Sequence, residues 1–431
     1  DINRQAVSYA YDQNSNLTRL TYPDGKLVRY SYDPADRMVE VMDWLNNTTR
    51  YDYDQAGRVS VVRNSNGTRT NYRYDRFGRP ASLVNLRADG TIIAAYEYAT
   101  DVFGNRVETQ AVEPVSVTLT PRTTNYSHDQ ENRVTSQAQN AITHDSNGDL
   151  TAISGSNARL FAYDSFNRLT SATSSNTTTT YKYDGLGNRI ARQANGQQTN
   201  FLVSPNPSMA QVLGTADQNN AVKDYYVYGL GLISKVTPAG QSYFYHYDGT
   251  GSTVAMTDGG ASIVNRYAYD PFGKPVGSSV ETVPNVFKYV GRYGVATEEG
   301  GLVYMKARYY LPELGRFTVK DPIGLRSGEN LYAYAGNNPI TRIDPLGLWY
   351  LDLNYTAVFA PIIGDVFAGY TAGIVINGDG LYYYHGPAFG SPNIGPSLTF
   401  SPCSPTVGTN RGVQLGGYFV TTQVGVDPDG V

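Results

Sequence analysis

The 431-residue sequence is poor in the residues that build most metal sites and disulfide-bonded domains. It contains one cysteine, Cys403, four histidines and two tryptophans, and only 17% of its residues are charged. A single cysteine excludes an internal disulfide framework and a cysteine-rich zinc site. The net charge of −4 gives no reason to expect a nucleic-acid backbone as partner. We therefore predict no metal, no cofactor and no nucleic-acid partner.

Tyrosine and glycine are abundant instead, with 37 Tyr against 14 Phe, and 44 Gly. Tyrosine packs well on a pleated sheet, whereas helices favour Ala, Leu, Glu and Lys, so the composition predicts an all-β protein. The first residues, DINRQAVSYAYD, contain no apolar run. We expect no signal peptide in this segment and interpret the chain as the end of a longer polypeptide.

A regular repeat predicts the architecture. Tyr-Asp pairs recur every 21 residues, at 11–12, 32–33, 53–54 and 74–75. Each pair opens a turn-like run, which in the last three ends in a basic residue, as in Asp54-Gln55-Ala56-Gly57-Arg58, and a second turn lies halfway through the repeat. Two turns per repeat leave two strands of about five to seven residues, which is one β-hairpin. Asp caps such a turn and Gly supplies its positive φ, so we interpret the Tyr-Asp pairs as structural.

The period loosens after residue 100. An irregular join is expected from Gln110 to Thr124, and a second irregular section from about Gln193 to Thr237. Tyr247-Asp248 then restores the pattern. Because an isolated hairpin is marginally stable in water, the hairpins are expected to stack edge to edge into a continuous sheet.

The stretch from Tyr304 to Trp349 contains the pentapeptide Asp-Pro-x-Gly-Leu twice. We call residues 321–325 the first DPxGL motif and residues 344–348 the second. Gly336-Asn337-Asn338-Pro339, a dense turn signal, lies between them. One interpretation is purely structural, because Asp-Pro-x-Gly forms a good β-turn with a side-chain cap.

The alternative interpretation is catalytic. Two carboxylates held close together cannot both ionise, so one keeps a proton and acts as an acid while the other acts as a base. Asp321 and Asp344 are candidates for such a pair. Arg308 is the candidate cation that holds one carboxylate ionised or orients the carbonyl under attack. We interpret Arg316 as a structural residue that forms an ion pair or stacks on tyrosine.

The ordered motifs resemble the Rhs/YD-repeat family with its repeat-associated core domain. The resemblance covers residues 1–348 and rests on the Tyr-Asp repeats and on YFYHYDGTGSTVAMTDGGASIVNRYAYDPFGKPVG, ARYYLPELGRF, DPIGL, NLYAYAGNNP and DPLGL. It implies YD-repeat β-hairpins stacked into a spiralling hollow shell over residues 1–242. A core domain over 243–348 would plug the shell, and residues 349–431 would be a variable payload held inside.

The resemblance also implies self-cleavage between Leu348 and Trp349, with Asp321 and Asp344 as the acid pair and Arg308 as the supporting cation. It further implies a polymorphic toxin delivered by a bacterial secretion system. Its expected partners are its own enclosed C-terminal segment, a secretion adaptor or chaperone and a cognate immunity protein. The alternative from a different class is a cell-surface or adhesive YD-repeat protein whose tail is structural and is never released.

Residues 349–431 differ in composition from the rest. They contain no Lys or Glu and carry the whole net charge of −4, so the composition changes at the same peptide bond. Asn377-Gly378-Asp379-Gly380 between two apolar runs predicts a hairpin, and Gln414 to Val426 predicts one or two further strands. Ala357 to Ile376 is long enough to span a bilayer, but Asp365 opposes this, so we favour a small β-domain over a membrane helix. No catalytic constellation is visible, and the target of the payload does not follow from the sequence.

Overall fold

The structure is a computed structural model that describes residues 6–117, 123–175, 177–204, 211–348 and 350–353, together with the backbone of 369–377, 380–388, 414–415 and 419–420. The described residues contain strands, turns and four short 3-10 helices, but no α-helix. The 3-10 helices are Gly291–Tyr293, Glu299–Gly301, Gly324–Ser327 and Ala335–Asn337. The predicted all-β class is confirmed.

Ten antiparallel strands form the first sheet, in which each strand pairs with the next along the chain. They are β1 Ser8–Tyr11, β2 Leu17–Thr21, β3 Leu27–Tyr32, β4 Met38–Met42, β5 Thr48–Tyr53, β6 Val59–Asn64, β7 Arg69–Tyr74, β8 Pro80–Leu86, β9 Ile92–Thr100 and β10 Arg106–Val112. The prediction of stacked hairpins is therefore confirmed.

Sixteen further strands form a second sheet with the same meander order. They are β11 Tyr126–His128, β12 Val134–Gln137, β13 Asn140–His144, β14 Leu150–Ile153, β15 Arg159–Tyr163, β16 Leu169–Ser174, β17 Thr177–Tyr183, β18 Arg189–Ala194, β19 Gln197–Val203, β20 Val212–Asp217, β21 Val222–Gly229, β22 Gly231–Val236, β23 Ser242–Tyr247, β24 Thr253–Thr257, β25 Ile263–Arg266 and β26 Val280–Glu281. The sheet continues from β22 to β23, and the boundary proposed after residue 242 stays a prediction.

The irregular section predicted from about Gln193 to Thr237 is wrong for the described residues, because β19 to β22 are paired strands there, whereas residues 205–210 lie outside the described part. The turn between β20 and β21 keeps the geometry of the Tyr-Asp turns. Asp217 Oδ1 accepts the N–H groups of Asn219 at 2.9 Å and Ala221 at 3.0 Å. No tyrosine precedes the aspartate of this turn, so the Tyr-Asp pair is missing from the sequence although the turn geometry is the same.

From Tyr32 onward, the tyrosine of each Tyr-Asp pair joins its hairpin to the preceding one. The hydroxyl of Tyr53 donates to the Met38 carbonyl at 2.6 Å, and that of Tyr74 to the Val59 carbonyl at 2.9 Å. Each bond spans 15 residues and satisfies a partly buried phenol. A half-buried ring with a polar end suits this position, which explains why tyrosine outnumbers phenylalanine.

The two large sheets face each other across a shared apolar core. Side chains of the first sheet hydrogen-bond the backbone of the second. The Tyr22 hydroxyl donates to the Tyr226 carbonyl at 2.7 Å, and Asn85 Nδ2 donates to the Tyr247 carbonyl at 2.9 Å. Because a buried polar group left unpaired costs about 1–3 kcal/mol, these bonds fix how the sheets meet.

The closing stretch forms small sheets around a second apolar core, which includes Met305, Tyr310, Phe317, Tyr334 and Ile343. One sheet contains β27 Ala296–Thr297, β28 Val303–Met305, β29 Arg308–Leu311 and β30 Arg316–Phe317, and the other pairs β31 Arg342–Ile343 with β32 Leu351–Asp352. The second DPxGL motif therefore lies in the connection between two paired strands.

In the C-terminal segment, β33 Gly369–Asn377 pairs with β34 Gly380–Ala388, and β35 Gln414–Leu415 pairs with β36 Phe419–Val420. The predicted hairpin and the predicted strands near residue 416 are confirmed. A strand over 369–377 rules out one helix reaching Ile376. Within the described part of the chain, no helix has the length and apolarity needed to cross a membrane. Residues 357–368 and Cys403 lie outside the described residues.

Candidate active site

The Tyr-Asp turns show how an aspartate is satisfied within five residues. In the turn from Asp54 to Arg58, Asp54 Oδ1 accepts the N–H groups of Ala56 and Arg58, both at 3.0 Å. The Asp54 carbonyl accepts the Gly57 N–H at 2.9 Å, and Gly57 has φ +77°. Asp54 Oδ2 accepts Arg58 Nε at 2.8 Å. The turn therefore contains the cation that neutralises its own carboxylate.

The second DPxGL motif folds into a similar turn that contains no cation. The Leu348 N–H donates to Asp344 Oδ1 at 3.1 Å, and the Gly347 N–H donates to the Asp344 carbonyl at 3.4 Å. Leu348 stands where the Tyr-Asp turn has Arg58. Asp344 Oδ2 lies instead 3.4 Å from Nη2 of Arg308, on β29.

Arg308 joins both DPxGL motifs. Its Nη2 also lies 2.6 Å from Oδ2 of Asp321. Its Nε donates to the Gly347 carbonyl at 2.6 Å, and its Nη1 donates to the Leu331 carbonyl at 3.0 Å. The side chains are almost fully buried, with 1% of Arg308, 2% of Asp321 and 4% of Asp344 exposed. The structure thus brings together the three predicted residues.

Packing around β28 and β29 holds the guanidinium in place. The Arg308 guanidinium lies 3.6 Å from the centre of the Phe317 ring, a cation–π contact. The hairpin turn meets the second DPxGL motif, because the Ala307 N–H donates to the Leu346 carbonyl at 3.1 Å. At Gly347, φ is +67° and a Cβ atom would lie 2.6 Å from the Met305 carbonyl oxygen. Glycine is required there for the turn to approach the hairpin.

Asp321 is fixed by its own turn and by a neighbouring segment. Its Oδ1 accepts the Ile323 N–H at 3.0 Å, and its carbonyl accepts the Gly324 N–H at 3.0 Å. The Asp321 N–H donates to the Leu331 carbonyl at 3.0 Å, the same oxygen that accepts Arg308 Nη1. One carbonyl therefore sets the position of Asp321 relative to the guanidinium.

Burial controls the charge of the site. Burial, and to a smaller extent the negative charge of Asp321, raises the pKa of Asp344 to about 7, although Arg308 and the Leu348 N–H act in the opposite direction. Burial lowers the pKa of Arg308, and the two carboxylates oppose that shift. Near neutral pH, Asp344 is divided between its acid and carboxylate forms, while Asp321 is ion-paired. This is the division of roles that acid–base chemistry by two carboxylates requires.

Several neighbours of the site were not singled out from the sequence, namely Phe317, Leu331 and Gly347. Only Gly347 had a signal, as the glycine shared by the two motifs. Arg316 Nη1 hydrogen-bonds Asn337 Oδ1 at 2.7 Å, and within the described ranges it forms no ion pair, so that part of its interpretation is corrected. Trp349, on the far side of the proposed cleavage bond, lies outside the described residues.

Comparisons with known proteins identify the family of the chain. The Teneurin YD-shell family matches residues 53–340, and the RHS repeat matches residues 11–45. The tRNA3(Ser)-specific nuclease WapA of Bacillus spizizenii is 35% identical over 269 residues, which are 61% of this chain and 11% of that protein. Toxin protein Tse5 of Pseudomonas aeruginosa is 36% identical over 105 residues, 24% of this chain and 8% of that protein. The chain thus spans about a tenth of the length of these curated relatives.

Among solved structures, TcdB2-TccC3 without its hypervariable C-terminal region is similar in fold. The TM-score is 0.58 at 18% identity, and the match covers 79% of this chain and 21% of that one. This likeness concerns the fold alone. The match to the Teneurin YD-shell extends over more than half of the sequence, and the chain belongs to the Teneurin YD-shell family.

Proposed function

We propose that this chain forms part of the shell of an Rhs-type polymorphic toxin and cuts itself once, between Leu348 and Trp349. The observation that carries the proposal is the meeting of both DPxGL carboxylates at Arg308, which also holds the Gly347 carbonyl at 2.6 Å. A purely structural turn needs no second carboxylate and no buried arginine shared with it. The names of the toxin and nuclease relatives support a toxin.

The proposed reaction is hydrolysis of one peptide bond by a water molecule. Asp321, ionised in its pair with Arg308, accepts a proton as the water attacks the carbonyl carbon of Leu348. Neutral Asp344 donates its proton to the amide nitrogen of Trp349 as the C–N bond breaks. The products are a new carboxylate at Leu348 and a new amine at Trp349. The bond from the Leu348 N–H to Asp344 Oδ1 positions the peptide for this step.

The proposal divides the chain into repeat shell over 1–242, core over 243–348 and payload over 349–431. The change in composition after Leu348 supports the last boundary. The relative TccC3 also has a C-terminal region described as hypervariable. Enclosure of the payload, export from the producing cell, an adaptor and an immunity protein belong to this proposal.

After the cut, the strand pair β31–β32 would still hold the new end of the payload. Arg342 Nε lies 3.3 Å from Asp352 Oδ2, and the Leu353 N–H donates to the Thr341 carbonyl at 2.7 Å. Leu353 is only 2% exposed. The two fragments are therefore expected to copurify, and cleavage must be read after denaturation.

Intact mass after denaturation tests self-cleavage. Wild-type protein is expected to give two fragments, while Asp344→Asn and Asp321→Asn each give one uncut chain of 47.1 kDa. Asp270→Asn is the matched control, because Asp270 begins another Asp-Pro-x-Gly turn, with Oδ1 accepting the Phe272 and Lys274 N–H groups at 3.0 Å. This control is expected to be cut. An uncut wild-type chain would contradict self-cleavage, and a cut Asp344→Asn chain would contradict the acid pair.

Growth of bacteria that produce the chain tests the toxin role. Wild-type protein and the Asp344→Asn variant are produced in the cytoplasm and, separately, in the periplasm. We expect growth arrest in at least one compartment with the wild-type chain, and weaker arrest with the uncut variant. Normal growth in all four cases would contradict the toxin role and favour a structural surface protein.

A further inference from the structure

One shell turn contacts the segment that carries the first DPxGL motif. This turn, Asp145–Asp149, and the strand β14 that follows it make two hydrogen bonds to that segment. The Leu150 N–H donates to the Thr318 carbonyl at 2.8 Å, and the Tyr332 hydroxyl donates to the Gly148 carbonyl at 2.9 Å in a buried environment. The turn is thus docked on both sides of the motif.

At Gly148, a side chain would fit only if the ends of the Lys320 and Tyr332 side chains moved. A Cβ atom there would lie 2.7 Å from Lys320 Cε and would also overlap the hydroxyl of Tyr332. The equivalent glycine of a later repeat, Gly187, has φ +84° against +90° at Gly148, but nothing lies within 4 Å of its Cβ position. At both positions the positive φ would strain any residue other than glycine. Of the two turns, only the one at Gly148 also has this close contact.

Tyr332, which contacts Gly148, is next in sequence to a residue that contacts the site. The neighbouring Leu331 carbonyl accepts both the Arg308 Nη1 and the Asp321 N–H, each at 3.0 Å. The Tyr332 carbonyl accepts the Phe317 N–H at 2.9 Å, and the Phe317 ring lies under the Arg308 guanidinium. A shift of Tyr332 would move both the carbonyl and the ring that hold Arg308.

The same turn also differs chemically from the other YD turns. Asp149 stands where most of those turns have an Arg or Asn that neutralises or hydrogen-bonds the capping carboxylate, as Arg58 does for Asp54 and Asn188 for Asp184. Asp149 is fully buried, and neither carboxylate oxygen has a hydrogen-bond partner among the described residues. Lys320, one residue before Asp321, is the cation whose charge acts on Asp149. The Lys320 ammonium itself is ion-paired with Glu131, at 2.9 Å between Nζ and Oε2, so among the described residues Asp149 has no cation of its own.

We propose that the Asp145–Asp149 turn is a positioning element for the cleavage site. The site reaches its reactive geometry only once this shell turn has formed and docked on the segment from Thr318 to Tyr332. The chain is then cut only in a shell that has folded, which prevents early release of residues 349–431. This inference rests on the proposed self-cleavage and adds its regulation.

Chain recovered unfolded and uncut from inclusion bodies is refolded to test the inference, and the cut fraction is followed over time on denaturing gels. Gly148→Ala and Gly187→Ala place alanine at nearly the same positive φ. We expect Gly187→Ala to be cut at the wild-type rate and Gly148→Ala at least about tenfold more slowly. A rate difference between these matched variants cannot come from turn strain alone.

Tyr332→Phe is a milder variant that removes only the hydroxyl bonded to Gly148. Its control is Tyr53→Phe, which removes the bond from Tyr53 to the Met38 carbonyl at 2.6 Å, far along the chain. Both variants are expected to lower the unfolding temperature slightly, but only Tyr332→Phe should slow cleavage, by about threefold or more. If Gly148→Ala and Tyr332→Phe are cut at the wild-type rate, the inference is wrong and self-cleavage stands. An uncut wild-type chain overturns both.

Discussion

The shell turn Asp54–Arg58 and the turn of the second DPxGL motif share backbone hydrogen bonds around an aspartate, but their cations differ. Arg58 comes from the same turn, and the pair is about one-quarter exposed, at 23% and 25%. Arg308 precedes Asp344 by 36 residues, and both side chains are buried. An exposed pair contributes little to stability, whereas a buried charge depends strongly on its partner.

Moving the cation to another strand changes what the turn can do. The fourth position after the aspartate is free for Leu348, whose carbonyl is the proposed point of attack. A second carboxylate, Asp321, joins the shared guanidinium. Burial then raises the pKa of Asp344 to about 7, so under the proposed mechanism this capping group can act as a proton donor near neutral pH. The difference between Asp54, which only caps its turn, and Asp344, the proposed acid, therefore comes from the packing around the turn and not from the turn itself.

Removing the two arginines should give the largest contrast in stability. Arg308→Ala leaves two carboxylates buried without their cation, and we expect the free energy of unfolding to fall by about 3–5 kcal/mol. Arg58→Ala removes a partly exposed pair and should cost about 1 kcal/mol or less. Urea unfolding followed by tyrosine fluorescence measures both. Equal losses would show that burial does not separate the two turns.

Arg58 and Leu348 each lie four residues after the aspartate of their turn. Exchanging the two residue types tests whether this position determines how each turn behaves. Leu348→Arg places a guanidinium beside Asp344, which keeps the carboxylate ionised and should slow cleavage at least about tenfold. The reverse change, Arg58→Leu, should not create a cut, because the shell turn has no second carboxylate. Denaturing gels of both variants check this. Wild-type cleavage in Leu348→Arg would contradict the role of neutral Asp344.

The raised pKa of Asp344 predicts how cleavage depends on pH. Because the neutral acid is the active form, the rate should fall about tenfold per pH unit above pH 7. Burial favours the protonated carboxyl in the folded state, so stability declines as pH rises from about 4, the ordinary pKa of an aspartate, to about 7, and changes little above that. Cleavage during refolding between pH 6 and pH 9 measures the rate. A rate that is constant over this range would exclude Asp344 as the acid.

Asp149→Asn should have the smallest effect on stability. It should stabilise the protein, whereas a typical turn mutation destabilises it. Burial and the nearby charge of Asp145 raise the pKa of Asp149 to about 6, and Lys320 partly offsets this. Stability from the protonated form is therefore lost as pH rises through 6. We expect the variant to gain about 1–2 kcal/mol at pH 8 and little at pH 4. Asp54→Asn, which loses its arginine pair, should be slightly destabilised at pH 8.

Much of the fold could be predicted because its repeat is local. A period of 21 residues with two turns specifies a hairpin without knowledge of the rest of the chain. The prediction is wrong at β19 to β22, because Asp217 forms the same turn without a preceding tyrosine. The turn geometry can form without the Tyr-Asp pair, so a pattern based on that pair misses turns of this kind.

The charged residues of the site could also be predicted, since twinned motifs and a nearby arginine are visible in the sequence. Their surroundings could not. The carbonyls of Leu331 and Gly347 contact Arg308 across 23 and 39 residues, and backbone groups leave no signal in the sequence. The docking of Gly148 on Tyr332 spans 184 residues and depends on how the sheets pack.

The N-terminal sequence of the smaller fragment, taken after denaturation of the wild-type protein, tests the central claim most directly. The account predicts that it begins Trp349-Tyr350-Leu351-Asp352, and that no such fragment is obtained from Asp344→Asn. A single uncut chain of 47.1 kDa, or a fragment that begins at another residue, would contradict it.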